Sequence, residues 1–158
     1  MRYAKIDKCE YVNGEGVGVS LYVQGCHFHC KGCFNPQTWD FEGGKEFDGA
    51  AFNELMCALR DPQIKRLTIL GGEPLAPEHR LSVMKLIAAV KTVHPDLKIW
   101  IYSGYEWGEL DVMTQNNLRH FTNVGIFGPF IEEQKDLTLP FMGSRNQYRM
   151  DFTHEGEN

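Results

Sequence analysis

Four stretches of the chain are dominated by apolar and β-branched residues, a pattern typical of buried strands. They are VGVSLYVQG from Val17, KRLTILGG from Lys65, LKIWIYSG from Leu97 and FTNVGIFG from Phe121. Nearly continuous apolar runs of this kind indicate strands that are covered on both faces, as in a parallel sheet. The pattern therefore predicts four parallel strands, each of which ends at a glycine.

Helical patterns separate the predicted strands. In the first, apolar residues recur at helical spacing between a candidate N-cap, Asp48, and the breaking pair Asp61-Pro62. The second repeats that spacing from Val83 to Val90 and ends before His94-Pro95. We expect a third, shorter helix from Tyr105 to about Gln115.

Strands that alternate with helices predict right-handed βαβ units, and hence the α/β class. A complete eight-stranded βα barrel takes about 250 residues, whereas this chain has 158. We therefore expect an open half-barrel of about four to five parallel strands with helices on its outer face. Residues 1–158 are expected to form a single domain. Within it, residues 129–158 are predicted to be a less regular C-terminal tail, with one late strand near Tyr148 to Phe152 and a frayed acidic end.

Composition and charge narrow the class of protein. A chain that is 42% hydrophobic and 23% charged is typical of a globular domain with a core. Its apolar runs are shorter than the roughly 20 residues of a membrane span, and no signal peptide is recognisable. A formal net charge of -5 disfavours nucleic-acid binding. We predict a cytoplasmic protein with neither a membrane nor a nucleic-acid partner.

Three cysteines lie close together in QGCHFHCKGCFNPQTW, directly after the first strand, at Cys26, Cys30 and Cys33. In a reducing compartment such a group indicates metal binding or catalysis and not disulfides. A closed zinc site takes four ligands and would need His27 or His29 as well. A four-iron cluster held by three thiolates keeps one iron open to a further ligand. Of the two, we favour the cluster.

Unusual residues also follow the other three strands, as GGEP, SGY and GPF. The carboxyl ends of parallel strands meet at one edge of a sheet, where ligands bind. The sequence therefore predicts one site at that edge. No convincing catalytic triad or carboxylate pair is visible, which indicates that a cofactor carries the chemistry.

The spacing Cys-x₃-Cys-x₂-Cys, joined to Gly71-Gly72-Glu73-Pro74, resembles the radical S-adenosylmethionine (SAM) enzymes. The resemblance implies that Cys26, Cys30 and Cys33 hold a 4Fe-4S cluster, whose open iron binds the amino and carboxylate groups of SAM. It further implies that an electron from a low-potential donor cleaves SAM to a 5′-deoxyadenosyl radical.

Cofactor-binding roles for further residues follow from the same resemblance. Gly71 and Gly72, with Glu73 beside them, are expected to receive the SAM ammonium, while Pro74 stiffens the turn. The remaining expected contacts with the adenosyl part of SAM are Gly32, Cys33, Phe34, Ser103 and Tyr105. Three alternatives remain open: Glu73 as a solvated loop carboxylate, Phe34 as ordinary core, and Ser103 as a helix N-cap.

A narrower similarity extends over nearly the whole chain. VNGEG, GCHFHCKGCFNPQTW, GGEPL, WIYSGY, GPFIEE and GSRNQ are similar, in this order, to the activating proteins of anaerobic (class III) ribonucleoside-triphosphate reductase. That similarity implies a glycyl-radical activase whose partner is this reductase. Two positions depart from the family pattern: Glu15 stands where a proline is usual, and Phe127 where an acidic residue is usual. The alternatives are another glycyl-radical enzyme as target, a free metabolite as substrate, or a non-enzymatic zinc-binding adaptor.

The remaining polar and sulfur-containing residues are given simpler roles. We expect His27 and His29 to be exposed, and Cys9 and Cys57 to be small buried hydrophobes. The basic stretch from Arg145 to Arg149 is either a solvated turn or a contact with the partner.

Overall fold

Residues 1–152, the part of the chain that the computed structural model describes, contain seven strands and three α-helices. The strands are β1 (Arg2–Glu10), β2 (Gly18–Gln24), β3 (Lys45–Glu46), β4 (Arg66–Gly71), β5 (Lys98–Ser103), β6 (Val124–Phe127) and β7 (Tyr148–Asp151). The helices are α1 (Gly49–Ala58), α2 (Arg80–Val93) and α3 (Val112–Phe121). Short 3₁₀ helices lie at Pro36–Thr38, Trp107–Glu109 and Glu132–Gln134.

All seven strands belong to one mixed sheet in the order β3-β1-β2-β4-β5-β6-β7. The four strands expected from the apolar runs are its centre, and they pair in parallel from β2 through β4 and β5 to β6. Antiparallel strands flank this centre, with β1 and β3 on one side and β7 on the other. The protein is therefore α/β with a mixed sheet, and the curvature of a half-barrel stays a prediction.

The two faces of the sheet differ in character because successive side chains of a strand point to opposite faces. Val19, Leu21 and Val23 of β2 belong to the main core, which also contains the buried residues of α1 and α2. The other face of the parallel strands carries a small apolar cluster, Trp100, Val124 and Ile126. It also carries the buried polar residues Ser20, Arg66 and Thr68.

The first helix begins as the sequence predicts. The Asp48 side chain accepts a hydrogen bond from the backbone N–H of Ala51 at 2.9 Å, which caps the helix. Cys57, however, lies on the exposed side of α1, and Cys9 is exposed in β1. The expectation that these two cysteines are buried is wrong, because each occupies a solvent-facing position of its element.

The third helix is displaced from its predicted position. A 3₁₀ turn occupies Trp107–Glu109, the backbone at Leu110 is extended, and α3 begins only at Val112. Asp111 sets this start, since its side chain accepts a hydrogen bond from the backbone N–H of Thr114 at 2.9 Å. Phe121, expected to open a strand, is instead the last residue of α3.

The antiparallel strand β1 was not predicted, because its charged residues Lys5, Asp7 and Lys8 interrupt any apolar run. The predicted late strand is present as β7, paired with β6. The predicted frayed acidic end, residues 153–158, lies outside the described residues. No helix within residues 1–152 is long and apolar enough to cross a membrane.

Candidate functional site

A cavity of about 560 Å³ lies where the four parallel strands end. Its lining includes residues that follow β2, β4, β5 and β6 directly, so the convergence at one sheet edge is real. Of the residues singled out from the sequence, the lining contains Cys26, Cys30, Cys33, Phe34, Gly71, Gly72, Glu73 and Ser103. Gly32, Pro74 and Tyr105 are not part of the lining.

The segment between Gly25 and Trp39, here called the cysteine loop, closes on itself through backbone hydrogen bonds. The N–H of Gly25 donates to the carbonyl of Thr38 at 2.7 Å, and the N–H of Cys26 donates to the carbonyl of Trp39 at 3.0 Å. Inside the loop, the N–H of Cys33 donates to the carbonyl of Cys30 at 3.1 Å. These contacts hold the three thiol-bearing residues against one cavity.

All three thiols line the cavity, and thiolates are the donors that a four-iron cluster takes. In the described part of the chain, no three side chains of His, Cys, Asp or Glu are arranged to hold one ion. A four-iron cluster binds its thiolates on different irons, so it does not require them to converge on a single point. Burial raises the pKa of Cys26 and of Cys30, because it disfavours their thiolate forms.

Both histidines of the cysteine loop are exposed, as expected, and both have other contacts. His27 Nε2 lies 2.5 Å from Glu78 Oε1. The ring of His29 stacks on Trp39, with 4.5 Å between the ring centroids. In these contacts, neither histidine serves as a fourth ligand beside the three cysteines.

Gly71 and Gly72 lie where β4 touches the cysteine loop. Gly71 has a φ of 106°, and a Cβ on Gly72 would lie 2.4 Å from the carbonyl oxygen of Gly25. The N–H of Glu73 donates to that same oxygen at 2.8 Å. The two glycines are therefore required by the close approach of two backbones, whatever contact they also make with a ligand.

Glu73 is buried, with 2% of its surface exposed, so it is not a solvated loop carboxylate. Its carboxylate accepts hydrogen bonds from the N–H of Leu75 at 2.8 Å, the N–H of Gly104 at 2.6 Å and the Ser103 hydroxyl at 2.8 Å. Burial raises the pKa of Glu73 to about 7, although these three donors favour the ionised form. The carboxylate thereby joins the end of β4 to the end of β5.

Ser103 has both of its hydrogen-bonding functions engaged within the protein. Its hydroxyl donates to Glu73 and accepts from the N–H of Tyr105 at 3.1 Å. It does not cap a helix, because α3 begins at Val112. Tyr105 packs edge-on against Phe28 with ring centroids 5.0 Å apart, which places it beside the cavity and not in its lining.

Phe34 is 55% exposed and lies with its ring centroid 5.1 Å from that of Phe130. It is therefore a cavity residue and not part of the core. Gly32 is exposed with a φ of 76°, and a Cβ there would meet the Glu132 side chain at 2.8 Å. Pro74 is buried in the turn behind Glu73. Expected contacts of Gly32, Phe34 and Pro74 with the cofactor stay predictions.

The two departures from the family pattern have structural explanations. Phe127 is fully buried on the side of the main core, where its ring packs 5.4 Å from that of Trp107. It does not line the cavity, so the strand end meets the cavity through Gly128 instead. Glu15 forms an ion pair with Arg149 at 2.8 Å, which joins the loop after β1 to β7.

A wall of the cavity was missed from the sequence. The segment 128–147 supplies Phe130, Leu137, Leu139, Phe141, Met142 and Gln147. The motif GSRNQ holds this segment in place, since Asn146 Nδ2 donates to the carbonyl of Pro129 at 2.6 Å and Gln147 Nε2 to that of Gly128 at 2.9 Å. Asn146 and Gln147 are thus bonded within the chain and do not form a merely solvated turn, and a partner contact of this stretch stays a prediction.

Three further polar residues of the lining, Asn13, Tyr22 and Tyr102, were also missed. Asn13 belongs to the motif VNGEG, and the two tyrosines lie in apolar strands. For the two tyrosines, the available signal in the sequence was a hydroxyl group in the middle of a buried run, because such a group needs a polar partner or access to water.

Comparisons with known proteins match the part of the chain that contains the cavity residues. A family model described as a 4Fe-4S single cluster domain matches residues 12–150. A protein of Haemophilus influenzae named anaerobic ribonucleoside-triphosphate reductase-activating protein is 38% identical over 149 residues, which cover 93% of this chain and 96% of that protein. Proteins of the same name from Vibrio cholerae and Escherichia coli K12 are 37% and 34% identical, over 97% and 93% of this chain and 99% and 96% of their own lengths. The family model spans every residue that lines the cavity, from Val12 to Gln147.

Proposed function

The chain belongs to the family of anaerobic ribonucleoside-triphosphate reductase-activating proteins, and from this premise we propose that it is a radical SAM enzyme that installs a glycyl radical on that reductase. A bound 4Fe-4S cluster would supply one electron for the reductive cleavage of SAM, and the resulting 5′-deoxyadenosyl radical would remove a hydrogen atom from a glycine Cα of the reductase.

One observation carries this proposal. The three cysteines and the Gly71-Gly72-Glu73 turn come from separate parts of the sequence, yet they line a single cavity. The loop that presents the thiols is bonded to the turn through Gly25 and Glu73. A metal-binding loop and a cofactor-binding turn that share a cavity support chemistry between a cluster and a second ligand.

In this proposal the residues of the chain bind and orient the cluster and SAM, and none of them is required as a general base or nucleophile. Cys26, Cys30 and Cys33 would hold the cluster and leave one iron open. The carboxyl group of Glu73, fixed by three donors, would lie near the SAM ammonium, whose positive charge would favour the ionised form of Glu73. The electron donor, the cytoplasmic location and the absence of a nucleic-acid partner stay predictions.

The proposal is tested by incubating the anoxically reconstituted, dithionite-reduced protein with SAM and the reductase. We expect a glycyl-type doublet in the electron paramagnetic resonance spectrum, and about four irons per chain. Alanine at Cys26, Cys30 or Cys33 should abolish both SAM cleavage and the doublet. Cys57→Ala, which alters an exposed cysteine outside the cavity, should preserve both.

Two results would overturn the assignment. About one zinc per chain with no iron would favour the adaptor alternative. A doublet that persists when the target glycine of the reductase is replaced with alanine would show that the radical arises elsewhere.

A further inference from the structure

The loop between β1 and β2, residues 11–17, carries the motif VNGEG. It borders the cavity on the face of the sheet that carries Ser20, Arg66 and Thr68. Asn13 and, from β2, Tyr22 line the cavity, while Val12 beside them is 69% exposed. The hydrogen bonds of Asn13 and Tyr22 indicate a role for them other than cluster or cofactor binding.

A buried ion pair fixes the loop. Arg66 is fully buried and donates from Nη1 to Glu10 Oε1 at 2.6 Å. The other oxygen of Glu10 accepts from the backbone N–H groups of Val12 at 2.7 Å and Asn13 at 3.0 Å. The carbonyl of Asn13 accepts from the Thr68 hydroxyl at 3.0 Å. The backbone at Asn13 is therefore held on both sides by buried groups.

The same network fixes the orientation of the Asn13 side chain. The Ser20 hydroxyl donates to Glu10 at 2.5 Å, so its oxygen can only accept from Asn13. The Asn13 amide nitrogen must then face Ser20, at 3.2 Å, and it also donates to the Tyr22 hydroxyl oxygen at 2.9 Å. Both amide hydrogens are used, and Oδ1 is turned away from these partners.

Two hydrogen-bonding functions remain open in this arrangement. Among residues 1–152, Asn13 Oδ1 accepts from no group, and the hydroxyl hydrogen of Tyr22 is donated to none. One acceptor and one donor, held side by side at the cavity, match the N–H and C=O of a peptide main chain.

We propose that Asn13 and Tyr22 form a peptide subsite, in which Asn13 Oδ1 accepts from a main-chain N–H and the Tyr22 hydroxyl donates to a main-chain carbonyl of the glycine-bearing segment of the reductase. This inference rests on the proposed function. The glycine itself has no side chain, so at that residue recognition has to use the main chain. The exposed apolar residues Val12, Phe34 and Leu137 surround the same cavity and provide contacts for the flanking side chains.

The test uses the reconstituted protein, SAM and a synthetic peptide with the sequence around the reductase's target glycine. Tyr22→Phe removes one hydroxyl and keeps the ring, and Asn13→Ala removes the acceptor. Each should raise KM for the peptide by about three- to tenfold, the effect of one neutral hydrogen bond, and change kcat much less. The matched control is Tyr11→Phe, a hydroxyl deletion on an exposed residue of the same loop that does not line the cavity. It should leave KM at the wild-type value.

N-methylated peptides separate recognition from a general effect on folding. In a series with one main-chain nitrogen methylated at a time, one position should raise KM for the wild-type protein by a similar factor. That penalty should disappear in Asn13→Ala, since the acceptor is already gone. The inference is overturned if the penalty is equal in both proteins, if Tyr22→Phe keeps a wild-type KM for the peptide, or if the variants raise KM for SAM instead. Failure of the wild-type protein to form any glycyl radical would reject the proposed function, which is a different result.

Discussion

At the scale of single residues, Arg66 is a charged side chain placed entirely inside the protein. It is fully buried, its Nε has no partner among the described residues, and Glu10 is the carboxylate that balances its charge. Gly14 and Gly18 leave room for it, because a Cβ at either position would come within 2.7 Å of its side chain. A buried ion pair of this kind adds little net stability. Removal of one partner, however, leaves a buried charge without compensation and destabilises the protein.

We therefore expect Glu10→Gln to lower the free energy of unfolding by about 3 to 5 kcal/mol. Thermal or urea unfolding of the metal-free protein measures this. The double variant Glu10→Gln with Arg66→Met should recover much of the loss, because no charge is then left without a partner. Equal destabilisation of the single and double variants would contradict this account of the pair.

Glu10 also makes the free energy of unfolding depend on pH in the acidic range. Burial alone would raise the pKa of Glu10, but hydrogen bonds from Arg66, Ser20 and two backbone N–H groups outweigh it and lower the pKa below its ordinary value. A lowered pKa contributes stability that is present above the ordinary value and is lost as the pH falls through the folded-state value. Wild-type unfolding curves should show this loss in acid, and Glu10→Gln should show less of it.

At the scale of elements, the decisive contact joins the end of β4 to the cysteine loop. The N–H of Glu73 donates to the carbonyl of Gly25 in the cysteine loop at 2.8 Å, and beside it the N–H of Gly72 donates to the carbonyl of Val23 in strand β2 at 2.9 Å. Packing here is backbone against backbone, so no flexible side chain can move aside.

Gly72→Ala should therefore separate the two elements. We expect a loss of about 1 to 3 kcal/mol in stability, typical of overpacking, together with lower iron content after reconstitution. Gly108→Ala is the matched control, because a Cβ at Gly108 would meet nothing within 4 Å. Iron analysis and thermal unfolding of both variants check this, and a Gly72→Ala protein with full iron content would contradict it.

On the scale of the whole molecule, the five cysteines divide into two groups. Cys9 and Cys57 are exposed in β1 and α1, whereas the other three line the cavity. In the cluster-loaded native protein we expect a thiol reagent to modify only these two, and to modify all five after chelation of the iron and unfolding. Anoxic thiol titration measures the counts. More than two fast-reacting thiols in the loaded protein would contradict the proposed cluster ligands.

The sequence predicted the parts of the molecule in which local pattern and burial agree. The four parallel strands are uninterrupted apolar runs, and α1 and α2 have clear helical spacing with a cap or a proline at their ends. The prediction failed where longer-range contacts decide. β1 is a strand because it pairs with β2. The late start of α3 was missed for a different reason, since its N-cap, Asp111, is a local signal that was not recognised in the sequence.

The candidate site, too, could be predicted only in part from the sequence. The cysteines and Gly71-Gly72-Glu73 follow strands directly, so the common edge of the sheet could be anticipated. The wall formed by residues 128–147 could not, because it is held by Asn146 and Gln147 across distances in sequence that no local pattern reveals. Glu73 also turned out to be bonded within the protein, which a motif alone does not indicate.

The separation of Glu10 and Arg66 by 56 residues also has a kinetic meaning. The two backbone hydrogen bonds that close the cysteine loop join residues 25 and 26 to residues 38 and 39, so this closure can form before β4 is available, and the bond from Glu73 to Gly25 is added later. The loop that carries Asn13 has to wait until β4 has left the ribosome and paired with β2, because its anchor, Arg66, lies in β4. Contacts distant in sequence form late. During biosynthesis, therefore, the closure of the loop proposed to bind iron is the first part of the cavity to take shape, and the side proposed to receive the partner is completed last.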